Sequence, residues 1–399
     1  MEIMPGETAI GLQIQKLRAD VCMEARHLAE AVRLDPSTLS KIENGKRAVR
    51  TDELLSIAKA LGVSPLAILE PDSLLARLPL AARSSTDHLD SAVHKRLEAL
   101  AELDNVLSAG GVNGPVPNLP LPPSNSHHES WLQVARRLAD WSRRRLDIVE
   151  GAGRLACLAK SIEDELGVDV LIEEYDSGTN GAAITDREFP FILINASQAY
   201  NRALFTLAHE LGHVLADDGT VFRIDLNLAG TDERERVANA FAAELLMPEE
   251  IVRNYLDSWG RNIRSLAKMM TRFGVSWQSL VYRLHNLQMI DADRRDNLRA
   301  IGFTGLLREL DDKALVEELT ALRSRLQRRP PGLLESRLWR GYELGLVSVR
   351  PLAGLLGVEP EDLLINTETP GIDQDVVGTV TPGESLLLEA DELYLGDPF

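Results

Sequence analysis

The chain has 399 residues, an apolar content of 44%, a net charge of −18 and two cysteines, Cys22 and Cys157. That length exceeds one small core and suits two or three domains, while the charge excludes a protein that coats nucleic acid over its whole surface. A local DNA-reading patch is not excluded. The start lacks the basic and then apolar pattern of a signal peptide, and no apolar run is long enough to span a membrane. Two distant cysteines suit a reducing cytoplasm.

Residues 8–70 read as short helices with tight joints. Leu28, Ala29 and Val32 share one apolar stripe. Asp35 then suits an N-cap with Pro36 at the first helical position. In that helix Leu39 and Ile42 face inward and Ser37, Thr38 and Lys41 face out, until Asn44-Gly45 ends it. Thr51 is expected to cap the next helix, with Leu54, Leu55, Ala58 and Leu61 buried. A short helix, a turn and a second helix with polar outward residues can place a recognition helix in the major groove. The arrangement, and L-S-K-I-E-N-G-K in particular, resembles the lambda-repressor-like (Xre) helix-turn-helix family. The resemblance implies that Ser37, Thr38 and Lys41 meet base edges of an operator in double-stranded DNA. It also implies that Lys46, Arg47 and Arg50 hold phosphates.

Residues 71–130 combine a helix with a Pro/Gly-rich linker. From Asp90 to Leu107 one stripe carries Val93, Leu97, Leu100, Leu103 and Leu107, which suits either a dimerisation helix or a helix packed on its own domain. Gly110–Ser130 has linker composition, and His127-His128 within it reads as a polar pair, not as ligands.

From Trp131 the pattern becomes α+β. Helical periods cover Trp131–Arg145 and Ala152–Leu166, and strand-like runs follow at Val168–Glu173, Gly181–Thr185 and Phe189–Asn195. One of the three is expected to be an edge strand beside the site. The arginines at 136–137 and 143–145 read as a solvated face. A helix starting near Ala199 then carries F-T-L-A-H-E-L-G-H, in which His209 and His213 stand at i,i+4 on one face. Two imidazoles so placed can hold one zinc ion, and Glu210 between them can take a proton from a water that the ion activates.

A third ligand is needed, and no His or Cys follows His213 until His285. The acid-rich run at 231–248 reads as a helix ended by Pro248. Within it Glu235 is the preferred ligand, Glu233 and Glu244 are substitutes, and Asn239 sits one turn on as a supporting partner. F-T-L-A-H-E-L-G-H and E-x-x-A-N-x-F-A-A-E-L-L-M-P together resemble the ImmA/IrrE metallopeptidase family, whose members cleave helix-turn-helix repressors. The resemblance spans about residues 130–290. It implies His209, His213 and Glu235 on Zn2+, with Glu210 as the catalytic general base. For stabilising the oxyanion, Tyr175, Tyr200, Arg202, Tyr255 and Tyr282 all remain open.

Residues 262–289 again resemble a helix-turn-helix, with Leu280 and Leu284 inside and a less basic outer face, so packing against the peptidase is expected. Residues 291–365 read as helical, with a looser copy at 338–365. No Lys or Arg follows Arg350, and 366–399 is an acidic, solvated tail.

The expected architecture is therefore multidomain. An all-α helix-turn-helix domain (8–70) and the helix plus linker (71–130) precede an α+β, zincin-like metallopeptidase domain (131–290). A helical region (291–365) and the tail (366–399) follow. The resemblances imply a cytoplasmic DNA-binding transcriptional regulator with a zinc-dependent endopeptidase domain. Its protein substrate would be a helix-turn-helix repressor in trans, or the chain itself, with the 110–130 linker as the exposed stretch. A homodimer is compatible with such a DNA reader. The alternative is a non-proteolytic transcription factor whose peptidase-like domain senses a ligand or a partner.

Overall fold

The computed structural model describes residues 5–20, 23–61, 68–69, 91–120, 129–148, 155–175, 178–216, 222–225 and 233–367. Within them lie an all-α N-terminal region, a small mixed sheet with flanking helices, and a mostly helical C-terminal region.

The N-terminal region holds α1 (Pro5–Asp20), α2 (Ala25–Ala31), α3 (Pro36–Glu43) and α4 (Thr51–Leu61). Pro36 sits where its missing N–H would have been unpaired anyway, and the Asp35 carboxylate accepts the Ser37 N–H at 2.8 Å. The helix stops at Asn44, after which Gly45 adopts φ 63°. Leu28, Ala29, Leu39 and Ile42 meet Leu54, Ile57, Ala58 and Leu61 in one core.

Two expectations for α4 need correction. Leu55 is 53% exposed, and Ile57 takes the inward place. Positions 54, 57, 58 and 61 share a face at about 100° per residue, and Leu55 turns away from it. Thr51 is the first helical residue, not the cap, and Glu53 closes the turn by accepting the Arg50 N–H at 3.0 Å.

Three helices precede the sheet: α5 (Ser91–Ala109), α6 (Trp131–Arg145) and α7 (Leu155–Leu166). Strands β1 (Asp169–Glu173), β2 (Gly181–Ile184), β3 (Phe191–Asn195) and β4 (Phe222–Asp225) stand in the order β1-β3-β2-β4. β1 runs parallel to β3, with Val170 opposite Ile192, and β2 is antiparallel to both β3 and β4. Between β3 and β4 the chain forms α8 (Tyr200–Ala216). After the sheet come α9 (Glu233–Leu246), α10 (Glu249–Trp259), α11 (Ile263–Phe273) and α12 (Trp277–Asn286). Next are α13 (Ala292–Glu309), broken at Gly302, and α14 (Lys313–Ala321). The described chain ends with α15 (Gly332–Glu343), α16 (Val349–Leu356) and α17 (Pro360–Thr367).

Successive strand residues point to opposite faces, and both faces are covered. Val170, Ile172, Ala183, Ile192 and Ile194 join the core of α6 to α9 and the helices after it. Leu171, Ala182, Ile184, Phe191 and Leu193 instead meet Val93, Leu97 and Leu100 of α5 and Leu334 and Leu338 of α15. This double burial explains why F-I-L-I reads as an unbroken apolar run. It also decides the role of α5 left open by its sequence: the helix packs within its own chain.

The linker-like composition starting at Gly110 includes a docked stretch. The Val112 carbonyl accepts from Arg337 Nε at 2.9 Å, and the Asn118 N–H donates to the Leu166 carbonyl at 2.9 Å. His127, His128 and, apart from its first two residues, the acidic tail lie outside the described residues.

Of the three runs expected to include an edge strand, β1 stands at one edge of the sheet. β2 and β3 are interior, and the outer side of β1 is closed by Arg329, whose backbone exchanges two 2.9 Å hydrogen bonds with Ile172. The other edge is β4, a strand the sequence reading did not include.

Candidate metal centre

Helix α8 carries three of the four residues that matter most. Its first turn is anchored from far along the chain, because the Tyr200 and Asn201 N–H groups donate to the Ser324 and Leu322 carbonyls at 3.2 and 3.0 Å. These are donors that a helix start otherwise leaves unpaired. Further along, His209 and Glu210 are fully buried and His213 is 1% exposed.

The acid arrives on α9, and a glycine lets that helix approach. A Cβ at Gly212 would stand 2.9 Å from Phe241 Cδ1 and 3.1 Å from Ala238 Cα, both on α9. With the two helices this close, Glu235 reaches both imidazoles. His209 Nε2 and His213 Nε2 lie 3.1 Å apart, and the Glu235 carboxylate oxygens stand 3.4 Å and 3.3 Å from them. Bonds of about 2.0–2.1 Å from tetrahedral zinc would put neighbouring donor atoms ~3.3 Å apart. The three separations match that spacing. Among the described residues, His209, His213 and Glu235 form a group able to hold a metal ion. The two imidazoles, His209 first, hold the Glu235 carboxyl far below the usual carboxylate range, against the opposing effect of its burial.

A second glycine positions Glu210. At Gly181 of β2, a Cβ would fall 2.7 Å from Glu210 Oε1 and 2.6 Å from Thr206 Cγ2. Any other residue there would have to displace the Thr206 and Glu210 side chains. Neither Gly181 nor Gly212 was singled out from the sequence. Gly212 carries a signal in hindsight, as a glycine inside a buried helix on the side facing α9.

Of the other expected residues, Asn239 is half-buried on α9, one turn beyond Glu235, and Glu233 is exposed. Glu244 belongs elsewhere: it pairs with Arg283 at 2.5 Å and Arg136 at 3.1 Å. Arg136 and its neighbours are also more than a solvated face, since Arg143 donates to the Leu245 carbonyl at 3.0 Å and Arg137 pairs with Glu129.

Several oxyanion candidates are occupied with other partners. The Tyr175 hydroxyl donates to Glu173 at 2.5 Å, and burial with that carboxylate pushes its pKa up. The Tyr200 hydroxyl accepts the Leu155 N–H at 2.6 Å. Tyr255 stacks on Trp259 at 4.2 Å, and Tyr282 lies under Arg299 at 5.0 Å. Arg202 is exposed beside a cleft on α8.

On the N-terminal region, Ser37, Lys41, Lys46 and Arg50 are exposed and Thr38 is half-buried. Arg47 is held by Glu53 through two hydrogen bonds of 2.9 and 3.1 Å, so it braces the loop between α3 and α4.

Comparison with known proteins joins these two halves. Residues 163–285 match the peptidase-family model described as the IrrE N-terminal-like domain, and residues 24–68 match a helix-turn-helix model. An IrrE/ImmA-type metallopeptidase domain stands behind a helix-turn-helix domain. The radiation response metalloprotease IrrE of Deinococcus radiodurans is 39% identical over 106 residues, which are 25% of this chain and 32% of that protein. Its counterpart in Deinococcus deserti is 38% identical over 105 residues, 25% of this chain and 37% of that protein. The chain thus spans about a third of the length of the curated relatives it matches. An alignment to the apo form of the competence regulator ComR from Streptococcus vestibularis covers 79% of this chain and 97% of that one. Its 13% identity and TM-score of 0.16 carry no weight. The IrrE-type domain holds the complete His209–His213–Glu235 group. No helix among the described residues is long and apolar enough to cross a membrane.

Proposed function

We propose that the chain is a DNA-binding regulator whose IrrE-type domain is a zinc-dependent endopeptidase that cleaves a helix-turn-helix repressor or the chain itself. The observation that carries the reading is the convergence of two buried imidazoles and one carboxylate at zinc-ligand separations. When bound, zinc supplies a Lewis acid that polarises the scissile carbonyl and lowers the pKa of water.

The chain's own residues would do the rest. Glu210 follows His209 directly on α8, so its carboxylate stands beside the ligands without being one of them. As general base it takes the proton of the attacking water and passes it to the leaving amine. His209 and His213 are locked by burial, and Gly212 keeps Glu235 in reach of both. Asn239 supports the ligand-bearing face of α9. The outer edge of β4 offers backbone groups to an extended substrate, so the polypeptide is held as an added strand.

In the N-terminal region Ser37, Thr38 and Lys41 would face base edges, and Lys46 and Arg50 would hold phosphates, with Arg47 shared between Glu53 and DNA. The docking of residues 112–120 on the body makes that part of the linker a poorer self-cleavage candidate.

The test is a time course of the full-length chain with zinc, alone and with helix-turn-helix repressors, for wild type and Glu210→Gln. The variant should bind equal zinc and cut slower by about 10²–10⁴. Identical fragment patterns from the two proteins would refute the peptidase.

A further inference from the structure

On the N-terminal half of α8 a cleft of about 780 Å³ opens between that helix, the joint of α11 and α12, and the segment following α14. Arg202 and Arg323 both line it. In a chain of net charge −18, several buried or half-buried arginines of this body are drawn to carboxylates, as Arg283 is to Glu244, Arg329 to Glu163 and Arg337 to Asp104. Among the described residues no carboxylate pairs with either cleft arginine, and the Arg323 guanidinium instead lies over the Phe303 ring at 4.8 Å. Asn201 also lines the cleft, at 8% exposure. Phe205 and Trp277 supply apolar wall.

The cleft adjoins the metal centre in two ways. Asn180, on its rim, directly precedes the Gly181 that abuts Glu210. Arg202 and His209 are seven residues apart on one helix, hence on the same stripe and separated by about 10 Å along the axis. An extended polypeptide covers that distance in about three residues.

We propose that this cleft is a specificity pocket for an acidic side chain of the polypeptide substrate, about three residues from the scissile bond. The proposal rests on the peptidase reading above and names the substrate chemistry that reading leaves open. Two guanidiniums and an amide present donors to a carboxylate, and the aromatic rings take its methylene stem. Phe303 and Arg323 lie beyond the segment that matches the IrrE-type model, so the pocket is completed by the C-terminal helical region. The same region holds the start of α8 through Leu322 and Ser324.

The test uses the full-length, zinc-loaded Glu210→Gln protein, which should bind peptide without cutting it. Fluorescence anisotropy would compare a labelled heptapeptide carrying a central Glu with its Gln twin. The Glu peptide should bind at least tenfold tighter, with the ratio shrinking as salt rises. Arg202→Gln and Arg323→Gln should each bring the ratio toward one, Arg→Lys should restore part of it, and Arg26→Gln on α2 should leave it unchanged. Equal affinities, or a ratio that survives both Gln variants, would overturn the pocket. So would displacement of the peptide by free phosphate or glutamate at its own concentration, which would mark a small-anion site. Cleavage by wild type is followed in parallel. A wild type that cuts nothing removes the peptidase while the Glu/Gln ratio still tests the cleft, and cutting without acidic preference overturns the cleft alone.

Discussion

Two helix pairs in this chain share a pattern and differ in surroundings. In α2–α3 the second helix opens on Asp35 and buries Leu39 and Ile42, and in α11–α12 it opens on Ser276 and buries Leu280 and Leu284. Beyond the inner stripe the two pairs differ in chemistry. The other side of α3 leaves Ser37 and Lys41 exposed. The matching positions of α12, Gln278 and Tyr282, are exposed as well, while its buried side is committed: Trp277 Nε1 donates to the Leu298 carbonyl at 2.8 Å, and Arg283 binds Glu244 and the Met247 carbonyl. A helix-turn-helix pattern therefore reports how two helices pack on each other, and what separates the two pairs is the chemistry of the outer face, Ser37 and Lys41 against Gln278 and Tyr282. The buried side of α12 also holds the IrrE-type domain together, through Trp277 and Arg283.

The largest effect should come from breaking that commitment. Glu244 and Arg283 are nearly buried, with side chains 10% and 7% exposed. Glu244→Ala would leave a guanidinium in the interior with two of its three hydrogen bonds gone, which costs about 3–5 kcal/mol. The matched change in the first pair is Arg26→Ala, whose partner Glu30 is exposed, and there the loss should stay under about 0.5 kcal/mol. Denaturant titration of the two full-length variants measures both. A Glu244→Ala protein as stable as wild type would mean that α12 is not locked in place.

The contrast also explains what could be read in advance. His209, Glu210 and His213 were legible because their geometry is internal to one helix and needs no tertiary knowledge. Glu235 was legible one step less directly, since its reach depends on how closely α9 packs. The inner stripe of α3 and its Asp35 cap were local as well. Leu55 was misplaced because one residue of helical phase separates it from the buried row. β4 was missed because four residues of strand give almost no period, and only pairing with β2 makes F-R-I-D a strand. The linker composition at 110–120 was sound as composition, yet the groups that dock it, Leu166 and Arg337, are distant in sequence. The pocket was beyond reach for the same reason, because Arg202 and Arg323 meet only through the fold.

Next in size is the contact that brings Glu235 to the two imidazoles. Gly212→Ala forces a methyl against Phe241 and the Ala238 backbone, and such overpacking costs about 1–3 kcal/mol. Because the strain pushes α9 outward, zinc affinity should fall with stability, and chelator competition would follow it. Stability lost without any change in affinity would separate the glycine from the metal centre. Of similar size, but on DNA, Lys41→Ala should weaken operator binding by about 1–3 kcal/mol. Tyr282→Ala on α12 should not alter it. Equal losses from the two would erase the distinction between the helix pairs.

The smallest effect is the one most specific to the free pair. The Ser37 hydrogen bonds hold the Asp35 carboxyl below the usual Asp range, the side-chain contribution being the largest. A carboxyl whose pKa is lower folded than unfolded stabilises the helix fully above its unfolded value near 4, and that stabilisation is lost as pH falls through the folded value. Asp35→Asn keeps an acceptor but removes the charge near the helix start. Hydrogen exchange of the α3 amides in the full-length protein should therefore be slower in wild type at neutral pH, with the difference closing as pH falls below the unfolded value near 4. A gap that persists unchanged to pH 3 would show that the charge of Asp35 is not what fixes the start of this helix.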